Sequence, residues 1–206
     1  MKQSDDHAAS RRNLSKGFSL VELVLSLAVL LVITTLAVPV VVRSLHTYQL
    51  NSTASQLAGM LKFTKFEAIR QNTKVACQVV QQGSNWLIWV DSNGDGVADG
   101  AEPQMLVTGS FSLLPPVSVP SPAPIIAALG PGAPGFTYVV WSGTNHSQIF
   151  DQRGVLYYPG GVVEIYAEYL GNPNDPTAGY RAILTLPSGA VQVWSSSSAG
   201  DWQRIS

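Results

Sequence analysis

The residues best suited to chemistry stand in one short run, Asp91-Ser-Asn93-Gly-Asp95-Gly96-Val-Ala-Asp99-Gly-Ala-Glu102. Side-chain oxygens alternate at Asp91, Asn93 and Asp95 and return at Asp99, a glycine stands at the sharp turn, and Glu102 is twelfth in line. This is the ligand spacing of an EF-hand calcium loop. Such oxygens can wrap a hard cation, and the four crowded carboxylates repel one another without one. The same run also reads as turn chemistry, because Asp, Asn and Gly close tight turns unaided. The flanks are strand-like rather than helical, and Ala98 stands where paired EF-hands carry a bulky coupling residue. Two readings stay open: a structural Ca2+ site on Asp91, Asn93, Asp95, Asp99 and Glu102, or a turn joining two strands. No other cofactor is implied.

Elsewhere the chain offers little for catalysis, and the residues predict no enzyme. His7, His46 and His146 are not spaced with Cys, Asp or Glu as a zinc site requires. There is no G-x-S-x-G elbow and no phosphate-binding glycine loop. Glu164 and Glu168 read as solvated strand residues rather than an acid pair. Cys77 sits in an apolar strand and reads as core rather than nucleophile; as the single cysteine it rules out an intrachain disulfide. The five tryptophans, at 86, 89, 141, 194 and 202, could supply a binding face, but core packing is the simpler expectation. Trp202-Gln-Arg204 offers one aromatic and one cation, too little to track a nucleic acid, and a net charge of -1 supplies no attracting field.

The elements around these residues follow from where charge is missing. Charged residues are 12% of the 206, about half the share of an ordinary soluble domain. The deficit is sharpest in Phe18–Val38, 21 residues with Glu22 as the single charge. A helix of this length rises roughly 30 Å, the hydrocarbon thickness of a bilayer. In residues 1–17, Lys2, Arg11, Arg12 and Lys16 outweigh Asp5 and Asp6. The positive-inside rule therefore leaves that leader in the cytoplasm and exports the chain beyond the apolar span. Glu22 lies near the cytoplasmic end, where an acid costs less than the ~2.5–3.5 kcal/mol of the bilayer centre. From position alone it either reaches the headgroups or awaits a cationic partner. Thr35-Leu36-Ala37 is a passable cleavage site for an ordinary secretory signal. Against that, the apolar run is long and continues through Val40–Val42.

Lys16–Glu22, K-G-F-S-L-V-E, resembles the type III signal peptide of type IV prepilins and type II secretion pseudopilins. The resemblance implies that a prepilin peptidase cuts between Gly17 and Phe18 and methylates the new amine of Phe18. Glu22 then becomes the fifth residue of the mature chain, the position of the family's glutamate. Pro39 matches a helix-kinking proline of the family. A carboxylate at Glu22 could pair with the Phe18 amine of a neighbouring subunit, compensating both charges in an apolar filament core. Further along, LAGMLKFTKFEAIRQNTKV, WLIWVDSNGDGVADGAEPQML, the FDQRG at Phe150–Gly154 and the closing YRAILTLPSGAVQVW resemble the GspH/FimT group of minor pilins and pseudopilins. The implied partners are the prepilin peptidase, other pilins or pseudopilins, an inner-membrane assembly platform and membrane lipid, with nucleic acid disfavoured. The implied location is the bacterial inner membrane, single-pass with a periplasmic domain, and afterwards a pilus or pseudopilus.

The expected fold is α+β and pilin-like. A long helix over 18–72, transmembrane over 18–38, packs on an antiparallel β-sheet in a periplasmic domain over 73–206. Leu50, Ala54, Leu57 and Leu61 form a helical stripe that Phe66 and Ile69 extend, and this stripe is the expected packing face. Pro39 should kink the helix rather than stop it, since the pattern resumes on both sides. Short β-rich runs come next, at Val75–Val80, Trp86–Val90, Met105–Thr108, Phe111–Leu114, Phe136–Trp141, Gln148–Phe150, Val155–Tyr158, Val162–Tyr169, Tyr180–Leu186 and Val191–Trp194. Pro115–Pro134 holds seven prolines and reads as an exposed, partly extended loop, either a plain insertion or a partner-binding arm. Asn172–Gly179 is a second polar turn cluster. The expected role is structural, a minor pilin or pseudopilin. The alternatives are a filament-tip binding module, for adhesion or DNA uptake, and then a secreted hydrolase.

Overall fold

The computed structural model describes residues 18–130, 135–138, 145–159 and 164–206. The leader 1–17 with Gly17, Pro131, Pro134, Trp141 and the first residues of the run from Val162 lie outside the described residues. The chain divides into two units, one ending at Val41 and one covering Val42–Ser206.

Helix α1 runs Leu20–Gln71 and continues through Pro39. It stops at Asn72, which takes the left-handed conformation at φ 53, while the Thr73 amide donates back to the Ala68 carbonyl at 3.2 Å. Asparagine tolerates that backbone better than most residues, and the returning bond satisfies a carbonyl left orphaned at the helix end. In the first unit, every residue of α1 is exposed.

In the second unit, α1 meets two β-sheets. The first sheet has the order β3-β2-β1-β6-β7, from β1 (Val75–Gln82), β2 (Asn85–Asp91), β3 (Gln104–Val107), β6 (Asn145–Phe150) and β7 (Leu156–Tyr157). The second has the order β11-β10-β9-β8-β4, from β4 (Ser112–Leu114), β8 (Ile165–Gly171), β9 (Tyr180–Thr185), β10 (Val191–Ser196) and β11 (Gln203–Arg204). All these pairings are antiparallel, while β5 (Phe136–Tyr138) pairs parallel to β8. The expected single sheet is thus two, with ten of the strands near their anticipated positions. Strand β11 is two residues long and carries no periodicity from which to predict it.

The packing explains the burial. Leu50, Ala54, Leu57 and Leu61 of α1 pack with Val75, Cys77 and Val79 of β1 and with Leu170, Ile183 and Val193 of the second sheet. On the opposite face of that second sheet, Ile165, Ala167, Tyr169, Ala182, Leu184 and Trp194 form another cluster. The alternation of adjacent strand positions between the two clusters is the period-two pleat. β8 is buried on both faces and β9 nearly so, with Glu168 and Arg181 as the charged side chains enclosed among their apolar ones.

The outer face needs a cover, and the proline-rich segment supplies part of it. Residues Ala123–Leu129 form a short helix, α2, and Pro116–Ser118 a 3-10 turn. Ile125 of α2 has no exposed surface and belongs to the second cluster. Against the expectation of an exposed, partly extended loop, the described part of the segment is largely exposed or half-buried, and the difference is the helical turn that buries Ile125. Proline at the first turn of a helix loses no hydrogen bond, and Ile-Ile-Ala-Ala-Leu behind it carries the apolar surface that folds the segment down. A correction concerns α1, where Phe66 and Ile69 are exposed at 65% and 43%. The core face instead continues through Thr64 and Ala68, because the 3.6-residue period carries positions 66 and 69 round to solvent.

Candidate functional site

The N-terminal part of α1 is apolar on all sides, with few polar side chains. The polar side chains of α1 between Leu20 and Val42 are Glu22, Ser26, Thr34 and Thr35. The three hydroxyls are turned inward: Ser26 donates to the Glu22 carbonyl at 2.8 Å, Thr34 to Leu30 at 2.9 Å and Thr35 to Leu31 at 2.7 Å. Hydroxyls satisfied on their own helix cost little in an apolar surround. The helix is long and apolar enough to cross a membrane. Exposed leucines, valines and isoleucines cover it from Leu20 to Val42, and a helix apolar all round needs lipid or other helices about it.

Glu22 is the one charge left over. It stands in the first turn of α1, where unsatisfied amides and the helix dipole favour an anion. Phe18 lies four residues ahead and is 80% exposed. The processing pair Gly17–Phe18 is described on the Phe18 side only. Glu22 and Phe18 are both presented outward, and no intramolecular cation stands beside Glu22 among the described residues. Pro39 lies within the same helix, three residues before the second unit begins.

The acidic run of 91–102 leaves β2 and returns as β3. Asp91 is buried, and its carboxylate accepts from the Gly94 amide at 2.8 Å, the Gly96 amide at 3.2 Å and the Gln78 side chain at 3.2 Å. Asn93 accepts from the Asp95 amide, Asp95 from the Val97 amide and Asp99 from the Ala101 amide, each two residues on. Glu102, also buried, accepts from the Ser92 amide at 2.8 Å. Gly94 and Gly96 both have positive φ, which explains why glycine stands there. The side chains so arranged brace a hydrogen-bonded turn. No group of three or more His, Cys, Asp or Glu placed together to hold a metal occurs among the described residues.

Other sequence candidates settle inside the domain. Cys77 is fully buried, its thiol is pushed up by desolvation, and it lies in the main core. Trp86, Trp89, Trp194 and Trp202 are buried; Trp86 donates to the Ser112 hydroxyl at 2.9 Å and Trp202 to the Pro120 carbonyl at 3.3 Å. Trp202 is therefore a lid on the second cluster rather than a stacking platform. His46 stands edge-on to Phe111, 3.9 Å from Asp175.

Glu168 contradicts its expected solvation. It has no exposed surface, accepts from Gln148 at 2.8 Å and lies 3.6 Å from His146 Nε2. It shares a face of β8 with Leu170, which points to the core between the sheets. A lone sequence does not show that both faces of β8 are covered, so the acid is placed outside by default. Arg181, buried on β9, carries no sequence signal that sets it apart; it donates to Asn51 of α1 at 2.7 Å and to the Tyr180 carbonyl at 2.7 Å.

Two family models match the chain. One, described as type II transport protein GspH, covers residues 53–203. The other, described as the prokaryotic N-terminal methylation motif, covers residues 12–38. Among solved structures, the type IV minor pilin FimU of Pseudomonas aeruginosa is similar at 17% identity, over 77% of this chain and 93% of that one, with a TM-score of 0.42. No curated protein matches.

Proposed function

The chain belongs to the GspH family of type II transport proteins, and from that membership we propose that it is a minor filament subunit, processed at Gly17–Phe18 and assembled through α1. Its family is one of structural pilins and pseudopilins, and its N-terminus carries the prokaryotic methylation motif. The precursor is held in the inner membrane with residues 1–17 inside and the domain from Val42 in the periplasm. A prepilin peptidase removes the leader and methylates Phe18. The mature chain then leaves the bilayer for a type II secretion pseudopilus or a type IV pilus, handed over by the inner-membrane assembly platform.

The observation that carries this reading is the exposed apolar surface of α1 from Leu20 to Val42, with one acid in its first turn. Removing ~20 apolar side chains from water is worth on the order of tens of kcal/mol, so this surface is covered in the working protein. A second copy or a sister subunit covers it without breaking any helix hydrogen bond. The freed amine of one subunit then supplies the cation that Glu22 lacks. Without a partner in the apolar core, that carboxylate would carry a desolvation penalty of several kcal/mol.

Mass spectrometry of the mature N-terminus tests the processing step. The expected result is a chain starting at Phe18 and heavier by one methyl group. A start at Val38 would instead mark an ordinary secretory signal and end the filament reading. Glu22→Ala, expressed in the native host, should be cut and methylated normally yet fall at least tenfold in recovered filaments, the equivalent of about 1.4 kcal/mol per subunit added.

A further inference from the structure

The turn between β2 and β3 holds a surplus of negative charge that its hydrogen bonds do not remove. Asp91, Asp95, Asp99 and Glu102 are its acids, and no Lys, Arg or His occurs from Val75 to Asn145. None of the four takes part in an ion pair among the described residues. The conflict is sharpest at the base of the turn. Trp89 of β2 stands opposite Gln104 of β3, and the Val90 amide donates to the Pro103 carbonyl at 3.0 Å. Carried on, that antiparallel register sets Asp91 opposite Glu102 on one face of the sheet. Both are buried, at 5% and 6% exposure. Like charges directly opposed across two strands are destabilising, and burial strengthens the repulsion. The Asp91 carboxylate is met by two amides and the Gln78 side chain. Glu102 is less well matched. Its Oε1 accepts from the Ser92 amide and hydroxyl, which holds the carboxylate against the start of the turn. Its Oε2 is buried there with no hydrogen-bond donor.

We propose that the turn is a Ca2+ site, with Asp91 and Glu102 as its base and Asn93, Asp95 and Asp99 as its closing ligands. Buried charges are paired or coordinate metals, and here no basic side chain pairs them. A divalent cation between the two buried carboxylates turns their repulsion into attraction. The donor set selects calcium. Every side chain offered is a hard oxygen ligand, and Ca2+ takes about six to eight of these in flexible geometry, with a backbone carbonyl at the seventh place of such a loop, here that of Val97. Zinc favours nitrogen and sulfur, and magnesium a near-ideal octahedron with several waters. No three of these acids stand together in the structure, so the cation gathers its ligands. Asp95 and Asp99 are exposed and each accepts the amide two residues on. A carboxylate has lone pairs beyond the one an amide takes, so both can turn towards the buried pair while the turn keeps its bonds. The inference does not rest on the filament reading.

The test uses the full chain in non-ionic detergent micelles, stripped of metal with EDTA and then dialysed. Equilibrium dialysis against radioactive calcium should give one Ca2+ per chain with a dissociation constant on the order of 0.1–1 mM. Calcium at about tenfold excess over that constant should raise the melting temperature by about 3 °C or more. The double variant Asp95→Asn, Asp99→Asn keeps an oxygen for each amide. It should melt like the parent in EDTA and bind calcium at least about tenfold more weakly. Glu102→Gln keeps an oxygen for Ser92, removes the opposed charge, and should lose the calcium response. No bound calcium, or a full response in either variant, would overturn the site. An equal rise with the same concentration of magnesium would overturn the assignment to calcium. A parent that ignores calcium but melts higher at pH 5 than at pH 7 would give the pair a shared proton in place of a metal, and would overturn the proposal.

Discussion

A carboxylate with no exposed surface, Glu168, is tied into the domain by the Gln148 amide and stands beside His146. Cutting it back to alanine leaves that amide without its acceptor. Glu168→Ala should cost about 1–3 kcal/mol in urea unfolding of the full chain in detergent. Glu168→Gln keeps an oxygen for Gln148 and removes the buried charge, and should stay within about 1 kcal/mol of the parent. Glu67 makes a different, pH-dependent contribution. Side-chain bonds from Arg70 first and then Gln71 lower its carboxyl from 4.5 to about 2. A folded value below the unfolded one means that the contribution is in place above pH 4.5 and is lost as the pH falls towards 2. Melting temperature against pH should therefore fall in that window, and less steeply for Glu67→Gln. In the acidic turn, Asp91 accepts three hydrogen bonds, so Asp91→Ala should lower the melting temperature in calcium-free buffer. Millimolar calcium separates the two readings of this turn: a structural cation raises the parent's melting temperature, and a turn braced by its own amides leaves it unchanged. The sequence tells where these oxygens lie but not what they face: an Asp-Gly-rich run serves a cation or its own amides with the same residues, and only backbone geometry separates the two.

At the scale of elements, the second half of α1 shows how far periodicity carries. Leu50, Ala54, Leu57 and Leu61 are legible because four consecutive positions keep the helical spacing and all are buried. Phe66 and Ile69 mislead because their size and apolarity draw the eye away from helical phase. Leu57→Ala should cost about 2–5 kcal/mol by opening a cavity between helix and sheets, whereas Phe66→Ala should stay within about 0.5 kcal/mol; chemical unfolding compares the two. The strands are legible from their β-formers, but the division into two sheets is not, since pairing partners lie far apart along the chain. Helix α2 is hidden by its prolines, which mark a helix start as readily as a loop. The β9–β10 turn depends on Gly189, whose φ is 71 and whose added Cβ would collide with the Gly154 carbonyl. A side chain there is strained twice, so Gly189→Ala should cost about 1–3 kcal/mol.

For the whole molecule, the division at Val41 separates two kinds of stability. The unit Val42–Ser206 has two apolar clusters of its own, while the preceding stretch of α1 buries none of its side chains. A fragment beginning at Val42 should stay in solution without detergent and melt cooperatively, as followed by circular dichroism; the full chain should need detergent. The amphiphilic layout is legible from charge distribution alone, because 21 residues with one acid leave few alternatives. Cys77, the chain's single thiol, is enclosed where α1 meets β1 and kept protonated by its surroundings. Nature has thereby left the protein with a built-in clock for opening: an aromatic disulfide reagent such as DTNB will turn yellow only as fast as the domain comes apart. The same seclusion lets an added surface cysteine carry a dye or spin probe alone, with the resident sulfur left in place.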